Sequence, residues 1–166
     1  GGRAVGTVWA GADGTHPVGC GVEVTEVRGR LDDGRLKLLS TGTLPFRVVE
    51  EVDHLPYPAG TVEFLEDQRE EPEEAGRDAA HEAYARLVEE ATDKVLDDEE
   101  LEPLTAYAMA ATVDFGLEAK QGLLDLRSET ARLRLVTRLL RAAVKRLDFI
   151  ERAQVRAQSN GRVRFG

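Results

Sequence analysis

The chain has 166 residues, 42% of them hydrophobic and 32% charged, with a formal net charge of -9. That composition suits one ordinary globular domain or two small packed subdomains, and its acidity argues against a nucleic-acid binder, which needs basic surface to neutralise phosphates. A single cysteine, Cys20, leaves no disulfide framework and no zinc ribbon, which fits a reducing, cytoplasmic setting.

No apolar run approaches the ~20 residues needed to cross a bilayer, and no charged-then-apolar leader is seen, so no membrane or secretory role is expected. The chain opens on "GGRAVGTVW", strand-like by its third residue, as the interior of a longer protein would. Lysine is confined to Lys37, Lys94, Lys120 and Lys145 against many arginines, a bias expected of a GC-rich bacterial genome. Charge is uneven along the chain: acidic from Glu63 to Glu102, basic from Arg127 to Arg164. The simplest expectation is solvated helix faces that pair with one another.

Up to about residue 70 the pattern is β. "AVGTVWA", "VGCGVEVTEV", "RLKLLSTG", "FRVVEEV" and "GTVEFLE" read as strands separated by turn residues. "LDDGRL" predicts a hairpin, because Asp33-Gly34 tolerates the positive φ of a tight reversal, and this makes Val18–Val27 and Arg35–Ser40 antiparallel neighbours. "LPYPAG" (Leu55–Gly60) holds two prolines and is a loop, since proline removes ladder donors. "DQREEPEEAGRD" reads as a polar linker between the halves.

The rest has helical spacing. From Asp78 to Leu96 the set Ala80, Ala83, Tyr84, Leu87, Val88, Ala91 and Val95 defines a buried face. "DDEELEP" is a charged interruption with Pro103. Leu104–Phe115 is a helix apolar nearly all round and so central, with Gly116 closing it in a left-handed C-terminal conformation. "LEAKQGLLDL" is another short helix. Ser128 is the N-cap of the longest, about 128–157, with Glu129 beside its positive end. Its stripe is Leu133, Val136, Leu139, Leu140, Ala143, Val144, Leu147 and Ile150, and "SNGRVRFG" ends the chain in a turn.

Catalytic chemistry does not assemble. His16 and His54 are expected as exposed turn residues, and His81 lacks the second histidine that a zinc-protease helix needs four residues on. No metal site, cofactor site or catalytic residue is expected, because ligand counts and nucleophile–base pairs are missing. The glycines of "GCG" do not form a phosphate loop. Asp97–Glu100 lacks an apolar pocket to raise a pKa, and Cys20 reads as a small buried thiol. Phe46 and Phe64 are expected in the core. Tyr57, in its proline-flanked loop, is expected to be exposed.

A hairpin with "VGCGVEVTEV", then "DGR", a "TG" at Thr41-Gly42, "PFRVVE" and "LPYPAGTVEFLED" resembles the Lon protease N-terminal (substrate-binding) domain family. Gly42 and the Phe46-Arg47-Val48 run match the family's "V-x-G-x-x-R-F-R-V", with Pro45 where arginine is usual. "AYAMAATVDFGLEAKQGLLDLRSETARLRLVTRLL" resembles its helical part, so the likeness runs from about Val5 to about Glu151. Two expected parts lie outside the match: the family's first strand would precede Gly1, and the ATPase module and serine–lysine dyad would lie beyond this region.

The resemblance implies an α+β fold: an antiparallel, PUA-like β-barrel or sheet subdomain over 1–70, then an α-helical bundle over 71–166. It implies a non-enzymatic, protein-binding module for unfolded or tagged polypeptides, working with a protease or chaperone. Trp9, Leu55 and Tyr57 are the candidate peptide-binding residues, and sheet edges could add an extended peptide. The alternative is a PUA-like RNA-binding module, carried by the basic terminal helix, or a regulatory ligand-binding domain.

Overall fold

The computed structural model describes residues 5–12 and 14–160, in two compact units, Gly1–Gln68 and Arg69–Gly166. The turn expected at the chain's end, past Asn160, lies outside the described residues.

The first unit is a four-stranded antiparallel sheet in which each strand pairs with its chain neighbour: β1 (Val5–Gly11), β2 (Gly14–Arg30), β3 (Leu36–Val52) and β4 (Ala59–Phe64). The Asp-Gly turn forms as expected. Gly34 takes φ +86°, the Asp33 carboxylate accepts the Arg35 N–H at 3.0 Å, and Leu31 N–H donates to the Arg35 carbonyl at 2.8 Å. Where the sequence suggests two strands, "RLKLLSTG" and "FRVVEEV", the structure has one continuous β3. The interruption is a bulge at Thr43–Leu44, since Cys20 opposes Pro45 while Val22 opposes Gly42. Pro45 is tolerated because its carbonyl faces β4, accepting the Leu65 N–H at 2.9 Å, so its missing donor falls where β4 stops.

Only Val18 and Phe46 form a buried apolar core here among the described residues. The Phe46 ring lies across two glycines: a Cβ on Gly6 or Gly19 would come within 2.6 or 2.7 Å of it. Phe64, expected in the core, is 51% exposed and meets Phe46 edge-on, with ring centroids 6.5 Å apart. The open sheet leaves its other side uncovered.

The second unit holds α1 (Glu74–Thr92), α2 (Asp98–Leu101), α3 (Ala106–Thr112), α4 (Leu117–Asp125) and α5 (Glu129–Asn160). α1 begins inside the expected linker and ends earlier than predicted. Asp93, left-handed at φ 58°, donates its N–H to the Glu89 carbonyl and stops the helix, which leaves Val95 72% exposed rather than on the buried face. "DDEEL" is a helical turn rather than a break. Asp97 and Glu100 form a capping box, which satisfies two of the orphan N–H groups at the helix start. Gly116 takes the positive φ foreseen, but as the N-cap of α4, not the end of α3.

Ser128 caps α5 as the sequence predicts, accepting the Ala131 N–H at 3.1 Å. The apolar stripe of α5 lies against α1 and α3 with Leu133, Val136, Leu140 and Val144 buried, while Ile150 is exposed. α1 and α5 run side by side in the same direction. Glu73 at the head of α1 pairs with Arg134 at 2.9 Å, and Glu89 and Asp93 at its end share a groove with Asp148 and Glu151. The Glu73–Arg134 pair realises the expected attraction between acidic and basic segments.

Polar ties lock the connecting helices. The buried Arg132 donates to Glu129 at 2.7 Å and to the Leu126 carbonyl at 2.9 Å, and its guanidinium lies 4.5 Å from the Tyr107 ring centre. Glu129 accepts the Ala106 N–H at 2.8 Å, so its carboxylate ties α3 to α5. His81 bonds the Leu104 carbonyl at 2.9 Å, and Tyr84 bonds Thr112 at 2.9 Å.

Candidate functional site

Among the described residues β1 pairs with β2 only as far as Val22, and β4 pairs with β3 only as far as Phe46, with one further bond from Leu65 N–H to the Pro45 carbonyl, so beyond these points β2 and β3 pair with each other as a two-stranded ribbon. Residues directly opposed in an antiparallel pair share a face. The register therefore places Val22, Val24, Val27, Leu36 and Leu38 on one face, with Arg30 beside Leu36 at its tip end, and Glu23, Glu26, Lys37, Leu39 and Thr41 on the other.

Strict alternation along "VEVTEV" would have put Val27 among the charges. A bulge at Thr25 rephases the strand, because Val24 opposes Ser40 while Glu26 already opposes Leu39. The Thr25 hydroxyl steadies the bulge by donating to the Leu39 carbonyl at 3.2 Å. The three-residue step from Val24 to Val27, where period two expects a charge, was the sequence signal for it.

The apolar face is uncovered: Val27 is 59% exposed and Leu38 49%. The charges near the tip are satisfied locally, through Arg28 to Glu26 at 3.3 Å and Arg35 to Asp33 at 2.7 Å.

Leu55 and Tyr57 sit in the β3–β4 loop, and Tyr57 is 46% exposed, as expected of it. This loop and the β1–β2 turn lie at the end of the sheet opposite the ribbon tip. Trp9 is near that end but on the β1 edge, two strands away, and its ring stacks on His16 at 6.1 Å. His16 is accordingly a half-buried strand residue, not an exposed turn residue. The three sequence candidates thus lie at one end of the sheet, with Trp9 apart from the other two, and the ribbon lies at the other end.

The helical unit carries two open grooves. One, of about 840 Å³, is walled largely by carboxylates of α1 and α5, with Arg86 bonded to Glu90 at 2.8 Å. The other, of about 330 Å³, is basic, with Lys145, Arg152 and Arg156 around an exposed Phe149. Among the described residues no three His, Cys, Asp or Glu side chains are arranged to hold a metal ion, and no helix is long and apolar enough to cross a membrane. The Ser128 hydroxyl and Thr130 N–H hydrogen-bond the Glu70 carboxylate, and the Ser128 bond chiefly holds that carboxyl below its ordinary range.

A family model, that of the ATP-dependent protease La (LON) substrate-binding domain, matches residues 9–142. No curated protein matches the chain. Among solved structures, it is similar to a Lon N-terminal domain protein from Xanthomonas campestris, 19% identical, covering 80% of this chain and 73% of that one with a TM-score of 0.57. It is also similar to the N-terminal domain of a Mycobacterium avium complex Lon protease, 21% identical, covering 77% of this chain and 72% of that one with a TM-score of 0.53. At these identities the structural likeness speaks for the fold.

Proposed function

The chain belongs to the LON substrate-binding domain family, and we propose that it holds unfolded or tagged polypeptide segments on the apolar face of its β-ribbon. The family is one of substrate-binding, non-catalytic modules. The observation that carries the reading is the uncovered row Val24, Val27, Leu36 and Leu38, held in phase by a bulge. An apolar strip flanked by charges accepts alternate side chains of an extended chain without selecting one sequence. Leu55 and Tyr57, with Trp9 at the far edge, supply a second contact for a long unfolded segment.

The test is a titration of the purified chain with a fluorescently labelled, permanently unfolded protein. Binding is expected at about micromolar strength. Val27→Ser combined with Leu38→Ser should weaken it about tenfold, since two apolar side chains no longer leave water. Tyr57→Ala should weaken it less. Binding that ignores all three substitutions, or no binding at all, sinks the proposal. A basic groove around Phe149 favours the RNA-binding alternative, whose signature is a steep loss of affinity with salt; apolar capture lacks it.

A further inference from the structure

The two outer edges of the ribbon are not alike. Along β2 the outer edge carries bulges at Thr25 and Arg28, a device that spoils an edge for pairing. Along β3 the free edge from Leu36 to Gly42 has no bulge, no proline and one charge, Lys37. Leu39 turns its carbonyl inward to Thr25, so strand alternation turns the N–H and carbonyl groups of Leu38 and Ser40 out to this open edge.

We propose that this edge pairs antiparallel with the same edge of a second copy, about a two-fold axis at Leu39. Leu39 then faces its own symmetry mate, Leu38 faces Ser40 of the second copy, and Leu36 faces its Gly42. An axis perpendicular to the sheet keeps the faces matched, so the apolar rows of both ribbons join into one strip.

Charge favours a second copy as the occupant. Lys37 comes opposite Thr41 of the other chain, in the row that already holds Glu23, so a cation extends toward an anion and no like charges are opposed. The contact is isologous and closes on itself as a dimer. It uses the edge and leaves the apolar face open, so it stands independently of the binding role proposed above.

Sedimentation equilibrium of the full chain, from about 1 to about 500 micromolar, should show a monomer–dimer equilibrium, the weak association expected of a small interface. Leu39→Cys in a Cys20→Ser background should oxidise to a covalent dimer, because such a pair brings Cα atoms to about 4.5 Å, within disulfide reach. Ser40→Pro should give a monomer at every concentration.

Should Ser40→Pro fail to fold by circular dichroism, the charge pair carries the test. Thr41→Glu should tighten the dimer about fivefold and Thr41→Lys loosen it about fivefold. Within one ribbon the same residues oppose Glu23, so their effects on monomer stability should run the other way. A chain that stays monomeric throughout overturns the proposal, whether or not its edge takes a foreign extended peptide. So does a dimer indifferent to Ser40→Pro or to Thr41 charge with no Leu39→Cys cross-link.

Discussion

Among the described residues the helical unit closes thirteen apolar side chains over one another, from Ala80 to Val144, whereas the sheet unit buries Val18 and Phe46. Charge differs too: the helical unit uses it in ties such as the Asp97–Glu100 capping box and the Arg132–Glu129 pair, while the ribbon gathers its carboxylates Glu23 and Glu26 on one face and leaves the other mainly apolar, with Arg30 at its tip end. A helix satisfies its own backbone and can bury a whole stripe. An open four-stranded sheet has two faces and two edges to cover, and few side chains of its own to do it. The helical unit thus buries most of its apolar stripes, while the sheet unit leaves much of its apolar surface exposed, and the proposed binding rests on that surface.

The difference can be broken from either side. The largest effect is expected from Leu140→Ala at the centre of the bundle, which should cost about 3 kcal/mol through lost burial and an unfilled cavity. Trp9, the chain's only tryptophan, reports the sheet, so far-ultraviolet dichroism should show the helical transition fall while Trp9 fluorescence moves less. Equal shifts of both signals would mean the units melt as one.

Gly19→Ala is the converse. Its new methyl would meet the Thr7 carbonyl at 2.5 Å and Phe46 at 2.7 Å, an overpacking worth about 2 kcal/mol that should show first in Trp9 fluorescence. Asp97→Ala should cost about 1 kcal/mol by opening the capping box of α2, and only the helical signal should register it.

The smallest effect concerns Glu70, whose carboxyl is depressed by its Ser128 hydrogen bond. A depressed acid contributes stability above its unfolded value of 4.5 and loses it as pH falls through the lower folded value. Glu70→Ala should thus lower the melting temperature slightly at neutral pH and make no difference in strong acid. A constant difference across that range would assign the loss to something other than this charge.

The sequence by itself determined which segments would be strands and which helices, because period two and period three to four are written in the side chains. It also showed the Asp33-Gly34 turn, the Ser128 cap and the buried α5 stripe, all local matters of backbone freedom and orphan N–H groups. Gly116 showed the limit of that reading: its positive φ was legible, but which helix it served was not.

Only the tertiary structure decided that β3 runs unbroken through Pro45, that Thr25 rephases the ribbon, and that Phe64 stays half in water. Each depends on what lies across a strand pair rather than along the chain. The candidate site divided in the same way. The exposure of Tyr57 was legible from its prolines, whereas the ribbon face and the outer β3 edge emerge only from the strand register and its bulges.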